Sequence, residues 1–118
     1  MQTYEIPREK WPSDVTLFGE AHYRWLVSVE VMNGEIGVQP EVRDMPLEGL
    51  SADPPSKGGT VSIFVEAAPD DHLTRLIASP QRILIEEDDA GGNAAMKIDA
   101  ADGTSTLVNF SKPPTSKK

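Results

Sequence analysis

From Arg24 to Phe110 the chain is a succession of short runs that alternate apolar and polar residues, punctuated by Gly, Pro and Asp. A period of two buries one face of an extended chain and wets the other, which is the pattern of antiparallel strands. Trp25, Val27, Val29 and Val31 share one face of the strongest run, residues 25–32. Val61, Ile63 and Val65 do the same in residues 60–67, and Ile83 and Ile85 oppose Leu84 in residues 82–87. Asn33-Gly34, residues 53–59, Pro69-Asp70-Asp71 and residues 88–93 supply the turns and loops. Antiparallel sheet is therefore the frame into which everything else must fit.

The final two runs meet at Asp102-Gly103, a hairpin signal because glycine accepts the positive φ such turns need. A two-residue turn sets Ile98 opposite Leu107. A three-residue turn with Gly103 in a bulge sets Met96 opposite Val108 and Ile98 opposite Thr106. The second register places Met96, Ile98, Val108 and Phe110 on one face, so it is the one expected. Two stretches resist this reading. Residues 36–43 contain Pro40, which cannot donate to a ladder, so they read as an edge or a bulge. Residues 72–77 are too short for periodicity to separate a strand from a helical turn.

Ahead of the strands, Ile6-Pro7 opens an extended entry segment. Trp11, Val15, Phe18 and His22 then recur at three-to-four spacing, which describes one amphipathic helix over roughly residues 12–23. Pro12 suits the first turn, where its missing N–H is not needed, and Asp14 lies where the helix dipole favours negative charge. Gly19 is the weak point of the helix. The expected fold is mainly β: a curled antiparallel sheet or small barrel of six or seven strands, with one N-terminal helix covering an open face or end. Residues 1–111 form the expected single domain, and residues 112–118 a disordered Lys/Pro tail.

A chain of 118 residues is long enough for one core, burying about two-thirds of its unfolded surface. Cysteine is absent, which fits a reducing compartment and offers no disulfide or thiolate metal site. No run approaches the ~18 apolar residues of a membrane span, and the first residues lack the profile of a signal peptide. The expected location is the cytoplasm. Residues 1–111 hold 8 basic and 19 acidic residues, a net of −11, against −8 for the whole chain. Such a surface repels nucleic-acid phosphates and anionic membranes, so neither is an expected partner.

The candidate reactive groups are few. Asp70-Asp71-His72 brings a histidine beside carboxylates, but neighbours on an extended chain face opposite sides, and a polar turn explains them better. His22 sits on the helix stripe, where a core or edge histidine is the simpler reading. Residues 88–93 superficially resemble a calcium loop but lack its alternating oxygen ligands and distal Glu. Ser51 has Asp53 nearby but no Gly-x-Ser-x-Gly elbow, and Gly58-Gly59 lacks the Lys and helix of a phosphate loop. Trp11, Tyr23 and Trp25 gather at the helix–strand junction, as core or as the wall of a ligand groove. No catalytic set, metal site or cofactor is assigned.

Ile6-Pro7-Arg8-Glu9-Lys10-Trp11-Pro12, followed by Phe18, His22 and Trp25-Leu26-Val27-Ser28-Val29-Glu30-Val31, resembles the opening of a bacterial family of small acidic proteins, domain of unknown function 5335. Pro46-Leu47-Glu48-Gly49-Leu50-Ser51-Ala52-Asp53, Asp71-His72-Leu73-Thr74 and Ala101-Asp102-Gly103-Thr104-Ser105-Thr106-Leu107-Val108 resemble its later segments in order. The likeness runs from about Ile6 to Phe110 and implies a free-standing bacterial domain with no assigned activity.

Two functions are carried forward. The first is a non-enzymatic binding module that meets a protein partner, or a second copy, through an exposed sheet edge at Gln39, Glu41 and Arg43 or through residues 47–53. The second is a small-ligand binder or enzyme with a pocket under the helix, lined by His22, Trp25, Ser51 and His72.

Overall fold

Val27, Val61, Ile63, Val65, Ile83, Ile85, Met96, Ile98 and Val108 are each no more than 0% exposed. Each is an inward position of a period-two run, and complete burial of such a side chain stabilises the fold by about 1.5–3 kcal/mol. A computed structural model of the chain describes residues 2–35 and 37–113. The elements are β1 (Gln2–Glu5), α1 (Trp11–Ala21), β2 (Leu26–Asn33), β3 (Gly37–Ala52), β4 (Val61–Ala68), β5 (Asp71–Ile77), β6 (Pro80–Glu87), β7 (Asn93–Ala100) and β8 (Ser105–Ser111). Residues 114–118 of the expected tail lie outside the described residues.

The strands form one eight-stranded sheet in the order β1-β6-β7-β8-β2-β3-β4-β5, antiparallel throughout. Among the described residues its outermost strands β1 and β5 do not pair, so the sheet curls without closing into a barrel. The molecule is elongated, 47 × 28 × 28 Å. The count exceeds the expected six or seven because Gln2–Glu5 adds itself to β6, with Tyr4 opposite Ile85. Nothing in four exposed residues announces this, since pairing partners lie some eighty positions away.

β3 bends because its ladder with β2 carries two irregularities. Val27 pairs with Met45 and Val29 with Val42, so Ser28 faces both Arg43 and Asp44. Asp44 takes a φ of +52°, and its N–H donates to Ser28 Oγ at 3.1 Å. Glu41 is a second extra residue, because Glu30 pairs with Pro40. Bulges of this kind bend a strand and increase its twist. The result is that Gly37–Pro46 pairs with β2 and only the part from Leu47 onward pairs with β4. Pro40 is thus beside a bulge and on an unpaired edge at once. Residues 71–77 are a strand, β5. The last hairpin takes the expected register, Met96 opposite Val108 and Ile98 opposite Thr106, with Gly103 at φ +88°.

Helix α1 lies against β3. Its buried residues are Trp11, Val15 and Phe18, on the predicted stripe, and Gly19. Trp11 donates its indole N–H to the carbonyl of Ile6 at 3.0 Å, so the largest core side chain is also hydrogen-bonded. A Cβ on Gly19 would stand 2.8 Å from the backbone nitrogen of Leu50. The helix approaches β3 this closely because position 19 has no side chain. Of the three aromatics at the junction, Trp11 is core, Trp25 is half-buried against it, and Tyr23 is 60% exposed.

Candidate functional site

The C-terminal end of α1 delivers His22 into an aromatic cluster. Its ring stacks on Phe18 with centroids 4.0 Å apart and meets Trp25 edge-on at 4.5 Å. Phe110 completes the cluster, 5.4 Å from His22 and 5.2 Å from Phe18. Phe110 has no local signal for this role; the pairing of β8 with β2 brings it there. His22 is only 8% exposed, and its Nδ1 lies 2.7 Å from the Phe18 carbonyl oxygen. A carbonyl can only accept, so Nδ1 carries the proton and donates. In the neutral ring Nε2 then holds a free lone pair.

Strand register decides what faces this cluster. Ser111 pairs with both Leu26 and Asn93, so the start of β2, the end of β8 and the start of β7 share one end of the sheet. Trp25 and His22 consequently border the β6–β7 loop. A cleft of about 310 Å³ opens there, walled by His22 and Trp25 on one side and by Glu87, Asp88 and Asn93 on the other. Asp88 accepts from the Ala90 N–H at 3.2 Å and from Asn93 Nδ2 at 3.4 Å, so residues 88–93 are a hairpin loop tied by its own aspartate. The Glu87 carboxylate makes itself felt nearby. The Tyr4 phenol is pushed above its ordinary pKa by burial first, and then by Glu87 and Asp14.

Ser51 and His72 lie elsewhere. Ser51 pairs with Ser62, which pairs with Leu76. His72 is four residues back along β5, roughly 13 Å at the usual strand rise. It pairs with Glu66 across the ladder, and its Nδ1 meets Glu48 Oε2 at 2.7 Å. A serine this far from a histidine has no base within the ~3 Å that proton abstraction needs. The fold brings His22 to Trp25 but gathers neither with Ser51 or His72 in a common cleft. A broader cleft of about 450 Å³ does lie beside α1, between Thr16, Glu20 and Tyr23 on the helix and Glu48, Gly49 and Leu50 on β3. Among the described residues, no three His, Asp or Glu side chains converge as metal ligands.

Around the bend of β3, charges are paired across the sheet. Arg24, at φ +69°, donates to Glu66 at 2.7 Å, and that bond raises its pKa above the ordinary arginine value. Arg75 on β5 pairs with Glu41, so one of the three expected edge residues is held from the far side of the curl. Gln39, Glu41 and Arg43 are all exposed. Among the described residues, no helix is long and apolar enough to cross a membrane.

The fold defines an open, curled antiparallel sheet of eight strands with one N-terminal helix packed against β3. The chain belongs to a family of unknown function, DUF5335, which it matches over residues 2–118, as the resemblance implied. An uncharacterized protein of Aquifex aeolicus (strain VF5) is 33% identical over 110 residues, 93% of each chain. No solved structure matches.

Proposed function

We propose that the protein is a non-enzymatic interaction module whose contact surface is the free edge of β3 between Gly37 and Pro46, and that it pairs with a second copy there. One observation carries the reading. This half of β3 has β2 on one side, and its pairing with β4 begins only at Leu47, which leaves a row of backbone groups open to another strand. Val38, 56% exposed on that edge, adds an apolar contact beside Gln39, Glu41 and Arg43. The absence of cysteine supports a reducing compartment, the cytoplasm.

Sedimentation velocity over a wide concentration range tests it. The expected result is a monomer–dimer equilibrium that Val38→Lys shifts to monomer with the melting temperature unchanged. A protein that stays monomeric at every concentration removes the self-pairing. Hydrogen exchange that slows on dimerisation at β1 or β5, instead of residues 37–46, moves the contact off this edge.

A further inference from the structure

His22 is more than nine-tenths buried, yet only one of its ring nitrogens is used by the protein. Nδ1 donates to the Phe18 carbonyl. Nε2 has no hydrogen-bond partner among the described residues. Among them, no buried side-chain nitrogen or oxygen sealed from solvent lacks a partner, so Nε2 is open to solvent, and the opening at His22 is the cleft it shares with Trp25. In the neutral ring the Nε2 lone pair is therefore held at a fixed place by an aromatic stack and a backbone hydrogen bond. Across the cleft stand Glu87 and Asp88.

We propose that the cleft between His22, Trp25, Glu87, Asp88 and Asn93 binds a small organic cation through a primary ammonium group. Its acceptors and its acidic side chains select for it. Nε2 of the neutral ring can only accept, so it takes one N–H of the ammonium. Glu87 and Asp88 supply negative charge within the same opening and strengthen that hydrogen bond. Asn93 turns its Nδ2 toward Asp88, which leaves its Oδ1 as a further acceptor. Trp25 gives an aromatic wall for the alkyl part and the charge. A quaternary amine has no N–H for Nε2, an anion is repelled by the Glu87 and Asp88 carboxylates, and a metal ion lacks three converging ligands among the described residues. The volume of about 310 Å³ is at the small end of ligand sites and leaves room for a short alkylamine. The site is at the opposite end of β2 from the Gly37 end of the β3 edge, so its test is independent of the dimer reading.

The test is a titration of the ¹⁵N-labelled full chain with n-butylammonium chloride, with n-butanol as the neutral control. Imidazole ¹⁵N shifts of His22 and the indole N–H of Trp25 report binding. The expected result is a saturable shift at His22 Nε2, with Nδ1 little changed, and a response to butanol weaker by about tenfold or more. The double variant Glu87→Gln with Asp88→Asn keeps the side-chain shapes and should weaken binding by about tenfold. His22→Phe keeps an aromatic ring in the stack and should abolish the Trp25 response, its fold checked by the thermal melt. Equal responses to amine and alcohol overturn the proposal, as does an amine response that survives His22→Phe in a folded protein. Binding indifferent to Glu87→Gln with Asp88→Asn overturns it too. A larger His22 shift with Zn²⁺ than with the amine makes the cleft a metal site instead.

Discussion

Replacing Gly19 with alanine sets two opposed effects against each other. Alanine is favoured over glycine inside a helix by about 1 kcal/mol, so propensity alone predicts a more stable protein. Position 19 is in the last turn of α1, which puts the gain at the low end. Against it, the new Cβ would lie 2.8 Å from the Leu50 backbone nitrogen, 3.0 Å from Leu50 Cβ and 3.2 Å from Leu50 Cγ. The nearest atom belongs to the β3 main chain and cannot turn aside, so helix or strand must move. Overpacking of this kind costs about 1–3 kcal/mol, and the upper part of that range applies where backbone is struck. The net expectation is a loss of about 1–2 kcal/mol. For a domain near 100 residues each kcal/mol lowers the melting temperature by roughly 4–8 °C, which gives a drop of about 5–15 °C. Thermal unfolding followed by circular dichroism measures it. Leu17→Ala on the exposed side of the same helix is the control, expected within about 0.5 kcal/mol of the parent. A Gly19→Ala protein that melts at or above the parent temperature would refute the argument, because helix propensity would then outweigh a contact that is not there.

Three further outcomes follow from other parts of the fold. Trp11→Phe removes the indole donor to the Ile6 carbonyl and should cost about 1–3 kcal/mol in urea denaturation, the penalty for a buried acceptor left alone. Ser28→Ala takes away the acceptor for the Asp44 N–H in the β3 bulge; a loss of about 1 kcal/mol is expected, with faster hydrogen exchange at the Asp44 amide. Asp99 is held below its ordinary carboxyl pKa by the Ser105 hydroxyl first, then by Lys97 and Arg82, against the opposing effect of burial. A lowered carboxyl pKa contributes stability above its unfolded value and loses it as pH falls through the folded one. Melting temperature should therefore decline below about pH 4, and Asp99→Asn should melt lower at neutral pH and lose less over that acid interval.

Much of the core was legible because the period of two is local. Val61, Ile63 and Val65, or Ile83 and Ile85, needed only their own neighbours to be placed inward. The hairpin register was legible too, since one of two turn lengths put Met96, Ile98, Val108 and Phe110 on one face. The helix stripe from Trp11 to Phe18 followed from spacing alone. The strand at Gln2–Glu5 was not legible, because four exposed residues acquire their structure from β6. Pro40 announced a disturbance in the ladder, but whether an edge or a bulge depended on where β4 would join β3.

The candidate sites divide along the same line. His22 and Trp25 stand three residues apart, so a meeting between them was within reach of the sequence. The carboxylates across the cleft were not: Glu87 ends β6 and Asp88 opens the loop after it, more than sixty positions away, delivered by the order β6-β7-β8-β2. Ser51 and His72 were named only as further candidates to line the same pocket, and the ladder through β4 holds them apart. By itself the sequence determined most of the strands with their inward faces, the helix stripe and the acidic composition, all of which are read from the residues and their near neighbours. Only the tertiary structure decided that the sheet stays open, that Gly19 lets α1 close on Leu50, and that His22 shares a cleft with Glu87 and Asp88. Those outcomes depend on loop closure and strand order, which link residues whose separation along the chain leaves no trace in local pattern.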